Sequence, residues 1–264
     1  MNKTPALPGV FSWYNLLFLT MYLLALALAP SVAIIFYIYS KDKYDREPFQ
    51  NLLISFLLGV LSTVPALIIQ SYYDSQLNSY FEQKSIAYYA IFAFLVVGLG
   101  EELSKFVMLR LYAYPRKAFN EPFDGIVYSV MVSLGFATLE NIGYVMENGY
   151  ATGLLRMFLS VPAHASFGVL MGYHAGLAKF DSRHSFIHLL KGLLLATFFH
   201  GSFDFFLFLQ DSKEVTQYVS GGLLFIGSLT SYWIAVRMSF RSIHLHQELS
   251  RQQYEKTLNE IQQT

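Results

Sequence analysis

The sequence predicts an all-α protein, a polytopic bundle of about seven transmembrane helices with its N-terminus outside and its C-terminus in the cytoplasm. Three observations predict it. Of the 264 residues, 54% are hydrophobic and only 14% are charged, where a soluble domain would carry about 25% charged residues. The missing charge appears as apolar runs of membrane-crossing length, and basic residues collect at alternate ends of those runs.

A spanning helix needs roughly 20 apolar residues, because the hydrocarbon is about 30 Å thick and a helix rises about 1.5 Å per residue. That rule marks segments 15–39, 51–72, 86–112, 122–147, 153–178, 185–210 and 219–240. The first reads as a retained span, since no basic leader region or small-residue cleavage site accompanies it. The connections, among them KDKYDREP at 41–48, YPRKAFNEP at 114–122 and KFDSRH at 179–184, carry turn chemistry and leave no room for a soluble domain. Residues 1–242 therefore read as a single membrane-embedded domain.

Orientation follows from the basic residues. Lys41, Lys43, Arg46, Arg110, Arg116, Lys117, Lys179, Arg183, Lys191, Arg237, Arg241, Arg251 and Lys256 fall at one set of span ends, and only Lys3, Lys84, Arg156 and Lys213 at the other. Positive charge marks the cytoplasmic face of a cell (inner) membrane. Residues 243–264 place Ile243, Leu245, Leu249, Tyr254, Leu258 and Ile261 on a loose stripe, the pattern of a cytoplasmic amphipathic helix lying on a surface or docked to a partner. His244 and His246 within it are expected to be solvated.

Composition also excludes functions. Lys+Arg and Asp+Glu are equal at 18 each, which offers nucleic acid no attraction. The chain has no cysteine, and so no disulfide framework, thiolate nucleophile or cysteine metal site.

The informative residues are the ionisable ones inside the spans, each costing about 2.5–3.5 kcal/mol to insert. Span three carries Glu101, Glu102 and Lys105 in GLGEELSKF, span four Glu140 and Asn141 in FATLEN, span five His164 in VPAHASFG, and span six His200 and Asp204 in FFHGSFDF. Counted inward from the outer ends, the carboxylates and imidazoles lie roughly six to fifteen residues deep, between the midplane and the outer third of the bilayer. Helices of opposite direction thus converge on one layer. Lys105 lies at i+4 from Glu101 and i+3 from Glu102, so its ammonium can pair with either carboxylate. Asp204 is i+4 from His200 and can hold that imidazole in one tautomer. Singly, each has a bland reading as a structural tie or an interhelical hydrogen bond; their common depth favours a site. Asp124 reads as a helix cap beside a Gly125 that permits close packing, and His174, His184 and His188 as incidental.

At EELSK, FDG, FATLEN, His164 and HGSFD the sequence resembles the PrsW family of membrane proteases, related to the CAAX prenyl endopeptidase and bacteriocin-protection superfamily. The resemblance runs from about Lys41 to Asp204. The superfamily's motif of a Glu pair followed by a basic residue is matched by Glu101, Glu102 and Lys105; that of an aromatic with His or Glu four residues on, by Phe136 and Glu140; the later His motifs, by His164 and by His200 with Asp204. The Glu form of the second motif, with the adjoining Asn141, favours PrsW over the prenyl endopeptidases. The resemblance implies cleavage of a single-span, membrane-anchored anti-sigma factor on its extracytoplasmic side, the first step of a stress-signalling cascade.

Peptide hydrolysis in a bilayer needs a wet pocket, a base for the water and a donor for the oxyanion. On this reading Glu101 or Glu102 is the base and His164 orients the water. His200, held by Asp204, stabilises the oxyanion, Glu140 and Asn141 position groups or substrate, and Lys105 sets the charge state of the Glu pair. A zinc ion drawn to Glu101, Glu140, His164 and His200 is the metal version; without an HExxH motif the metal-free glutamate mechanism is preferred. No GxSG motif supplies a serine nucleophile, and Gly98-Leu99-Gly100-Glu101 has Glu where an aspartyl protease needs Asp. The reading from a different class is an ion- or proton-coupled transporter using the same buried cluster, against which stands the lack of an inverted repeat.

Overall fold

The computed structural model describes residues 10–81 and 84–262. Lys3 and the last two residues of the expected tail helix lie outside this range. Among the described residues all regular structure is helical, in the order α1 (Val10–Lys41), α2 (Phe49–Tyr80), α3 (Ile86–Ala113), α4 (Asp124–Phe158), α5 (Ser160–Phe180), α6 (Ser185–Phe208) and α7 (Gly221–Gln262). Six helical stretches are long and apolar enough to cross a membrane, and the longest, Asp124–Phe180, joins two predicted spans. Large apolar side chains on the outside, such as Phe18, Leu111 and Phe186, each more than 70% exposed, form the kind of wall that lipid rather than water must cover.

The connection predicted between positions 147 and 153 is a single residue. Gly149 has φ 78°, a left-handed conformation that costs glycine little, and the chain reverses there. Fifteen residues of unbroken helix would separate Arg156 from Asn141 by about 22 Å; instead their side chains are hydrogen-bonded at 2.9 Å.

Helix α3 is not uniform. Its α-helical middle, Leu99–Met108, holds EELSK and is flanked by π-helical stretches at Phe92–Gly98 and Leu109–Ala113. Such wide turns commonly accompany functional sites.

Helix α4 is the axis of the bundle, with every residue from Asp124 to Thr138 buried. It packs against α1, α2 and α5, and small residues set how closely. A Cβ on Gly59 or Gly135 would collide with the main chain of Val132 or Phe56, joining α2 to α4, and one on Gly125 would strike the backbone of Gly172 and Gly176 in α5. The close packing expected at Gly125 is thus present. Gly125→Ala is expected to force these helices apart and to cost roughly 1–3 kcal/mol, the usual range for overpacking, seen as a lower thermal midpoint in detergent.

The predicted seventh span and the tail are one unbroken helix of 42 residues. Its part beyond Ser250 is exposed, but the preceding turns dock on the bundle: Gln247 donates to the Lys41 carbonyl and Ser250 accepts the Phe123 N–H. His244 is exposed as expected, but His246 is fully buried against the Tyr173 ring, 4.3 Å between centroids. Its slot exists because Gly176 has no side chain there, a tertiary effect that local polarity does not register.

Candidate active site

Crossing geometry builds the site. At Gly98 in α3 and Gly201 in α6, a Cβ on Gly98 would lie 3.1 Å from the Gly201 nitrogen. That approach sets the Glu pair of α3 opposite His200 of α6, while α5 brings His164 to the same point.

The two glutamates divide into inner and outer roles. Glu102 is fully buried, its Oε1 2.8 Å from Lys105 Nζ and 2.8 Å from His200 Nδ1, and its Oε2 has no partner among the described residues. Glu101 faces the cavity, accepting from Gln70 Nε2 at 2.9 Å, with Oε2 3.4 Å from Lys105 Nζ and 3.8 Å from His200 Nε2. Lys105 therefore pairs with both carboxylates, lies 3.0 Å from His164 Nδ1 and sits 4.0 Å over the Phe136 ring. His164 Nε2 meets Glu140 at 2.9 Å, and Arg156 meets the same carboxylate at 2.9 Å. His200 Nε2 is 3.2 Å from Asp204. The two imidazoles stand perpendicular, with centroids 5.1 Å apart.

All these groups except Glu102, Lys105 and Asn141 line one cavity of about 730 Å³. Asn141 lies behind it, donating to the Ala27 carbonyl of α1 and accepting from Arg156. Asp124 is remote from the site and binds the backbone N–H groups of Asn120 and Glu121. The sequence reading passed over two contributors. Gln70, inside the second predicted span, drew no notice, and Arg156 counts there only as a flanking charge; an amide and a guanidinium so close to apolar runs were the available signals.

Charge and donor type bear on metal binding. Among the described residues Glu101, Glu102, Glu140 and Asp204 face only Lys105 and Arg156 as fixed cations, leaving two formal negative charges for the imidazoles or a divalent ion to offset. Glu101, His164 and His200 each offer a ligand atom within 4.8 Å of the others, a carboxylate-and-two-imidazole set that suits catalytic zinc. Glu102 braces the far nitrogen of His200 as an outer carboxylate does at such sites. His164 has both nitrogens engaged, by Lys105 and Glu140, so ligation would exchange one of these contacts. The residues fit a metal.

Arg156→Ala should release Glu140 and Asn141 together. Activity is expected to fall about 10- to 100-fold, as for other residues that orient the groups of a site. Arg156→Lys should restore part of the rate by keeping the charge without the planar fork. Rates set beside thermal midpoints separate this from unfolding.

A cavity of about 730 Å³ into which carboxylates and imidazoles project, within an all-helical bundle of membrane-crossing length, is the arrangement an intramembrane hydrolase requires. The family model described as "PrsW family intramembrane metalloprotease" matches residues 47–230. The chain is 40% identical to Protease PrsW of Geobacillus kaustophilus over 81% of its length and 89% of that protein, and 38% identical to Protease PrsW of Bacillus subtilis over 70% and 82%. Protease PrsW of Clostridioides difficile is 34% identical over 71% and 80%. No solved structure matches the chain. The chain belongs to the PrsW family, and is a multi-pass membrane protease.

Proposed function

We propose that this protease cuts a single-span, membrane-anchored regulatory protein of the anti-sigma-factor type, near the extracytoplasmic side, with Glu101 as the group that activates water. The observation that carries the assignment is the division of the Glu pair: Glu101 borders the cavity, whereas Glu102 is sealed behind Lys105 and His200. Glu101 accepts the proton of the attacking water, and Gln70 fixes its carboxylate from the other side. His164 orients that water. His200, steadied by Glu102 and Asp204, donates to the oxyanion as the carbonyl becomes tetrahedral. Lys105 pairs with both carboxylates of the Glu pair, and Arg156 holds Glu140 toward His164. The basic-residue asymmetry favours a cavity opening toward the extracytoplasmic half, within reach of a segment just outside the lipid.

The clustering of donor atoms from Glu101, His164 and His200 favours a metal-bound form of the same site. These three residues would hold the ion, which supplies Lewis acidity and lowers the pKa of water; Glu101 is then a ligand. The test is the purified protein in lipid nanodiscs with a co-reconstituted single-span substrate. Cleavage on the extracytoplasmic side is expected. Stoichiometric zinc, with activity lost to chelator and restored by add-back, selects the metal form; full activity in metal-stripped protein selects Glu101 as base. A protein that conducts ions and cleaves no single-span substrate overturns the assignment in favour of the transporter.

A further inference from the structure

At the end of α4 remote from the active site, four acidic side chains meet: Asp42 and Glu47 from the α1–α2 connection, Glu121 from the loop before α4, and Asp124 at its first position. Each is 4% exposed or less. Asp42, Glu121 and Asp124 each contribute an oxygen within 4.8 Å of the others. One oxygen on each of two of them is committed to the main chain: Asp42 Oδ2 accepts the Glu47 N–H at 3.0 Å, and Asp124 Oδ2 accepts the Asn120 and Glu121 N–H groups at 2.8 Å each. Among the described residues the remaining oxygens, Asp42 Oδ1 and Asp124 Oδ1, are buried without a hydrogen-bond donor, as is Glu121 Oε1.

Glu47 is the independent sign of a missing ligand. It is 3% exposed and tied through Oε2 to the Tyr128 hydroxyl; its carboxyl reaches Asp124, and among the described residues Oε1 has no hydrogen-bond donor. Among the described residues no lysine or arginine pairs with any of the four. Arg46 spends its Nε on the Asp42 carbonyl and lies over the Tyr39 ring, while Lys179 donates to the Tyr114 and Arg116 carbonyls. Burial without a counter-charge pushes the Glu47 carboxyl up to about 7 and the Glu121 carboxyl up to about 8, a measure of how poorly the protein alone supports their charge.

We propose that this pocket binds a hard divalent cation, Ca²⁺ or Mg²⁺, through Asp42, Glu121 and Asp124, with Glu47 as the fourth carboxylate. An all-oxygen donor set with no imidazole selects hard ions over zinc. The ion ties the α1–α2 connection to the start of α4. The α7 extension closes over the same loops through Ser250 on Phe123, Gln253 on Asn120 and Gln247 on Lys41, so binding and docking of that extension reinforce each other. On the predicted orientation the site faces the cytoplasm, away from the substrate.

The test uses full-length protein in nanodiscs, stripped with EDTA and titrated with Tb³⁺, whose emission Tyr128 can sensitise through its contact with Glu47. A saturable signal is expected, retained in Glu101→Gln and weakened at least about tenfold in affinity in both Asp42→Asn and Glu121→Gln. Ca²⁺ and Mg²⁺ should displace Tb³⁺ and raise the thermal midpoint of the wild type but of neither variant, by the linkage that stabilises any ligand-binding native state. Displacement at lower Ca²⁺ than Mg²⁺ identifies a calcium site, the reverse a magnesium site. Asp124→Asn is avoided because Asp124 also holds two backbone N–H groups. Undiminished Tb³⁺ affinity in both variants, or a wild-type midpoint indifferent to both ions, overturns the proposal.

Discussion

Glu101→Gln is expected to reduce cleavage of a reconstituted single-span substrate by about 100- to 10,000-fold, the range that a positioned general base contributes, while leaving the thermal midpoint nearly unchanged. The amide is isosteric and its oxygen still accepts from Gln70, and Lys105 retains Glu102 as a partner at 2.8 Å. Glu102→Gln should behave differently. Glu102 Oε1 meets both Lys105 and His200 in a fully buried position, so its loss weakens the fold together with the activity. Rates and melting curves of the two variants, taken in the same lipid, distinguish a carboxylate that meets water from one that supports its neighbours. Equal losses of rate and of stability in the two variants would contradict this division.

Lys105→Met is expected to be the most destabilising single substitution in the site. The ammonium is 1% exposed and faces Glu101, Glu102 and His164. Methionine fills much of the volume but leaves two buried carboxylates without their cation. Breaking a buried ion pair by removing one partner costs about 3–5 kcal/mol. The expected result is a fall in folded yield and a lower melting temperature, with cleavage lost alongside. The double variant Lys105→Met with Glu102→Gln should recover part of the stability, because the orphaned charge is then removed. A double variant no more stable than Lys105→Met alone would show that the pair is not the source of the loss.

Much of this architecture was legible because the membrane makes polarity expensive. Spans stand out as apolar runs, and the ionisable residues that interrupt them, Glu101, Glu102, Glu140, His164, His200 and Asp204, could be brought to one depth by counting residues alone. What counting could not resolve is which side of α3 each glutamate faces. The π-helical stretches at Phe92–Gly98 and Leu109–Ala113 alter the helical phase on either side of EELSK, so a period of 3.6 does not decide between Glu101 and Glu102. Arg156 was hidden by a different cause: it reaches Glu140 only because the chain reverses at Gly149, a contact between positions that sequence reading assigns to opposite sides of a turn. Asp42, Glu47 and Glu121 were hidden by their setting in polar loops, where acidic residues usually meet water, whereas here the α7 extension covers them. His246, on the extension itself, was misread because the slot that takes it in is left by Gly176 on a distant helix.

The glycine contacts of α4 also bear on how a polypeptide enters. Where main chains touch with no side chain between them, as at Gly59, Gly135 and Gly125, no rotamer can turn to open a gap, and widening requires a whole helix to move. The cavity, by contrast, is edged in part by Phe203, Leu207, Phe208 and Phe225, whose side chains can swing between staggered positions with the backbone at rest. A substrate segment is expected to enter on that flank, its girth limited by the bulk of those rings.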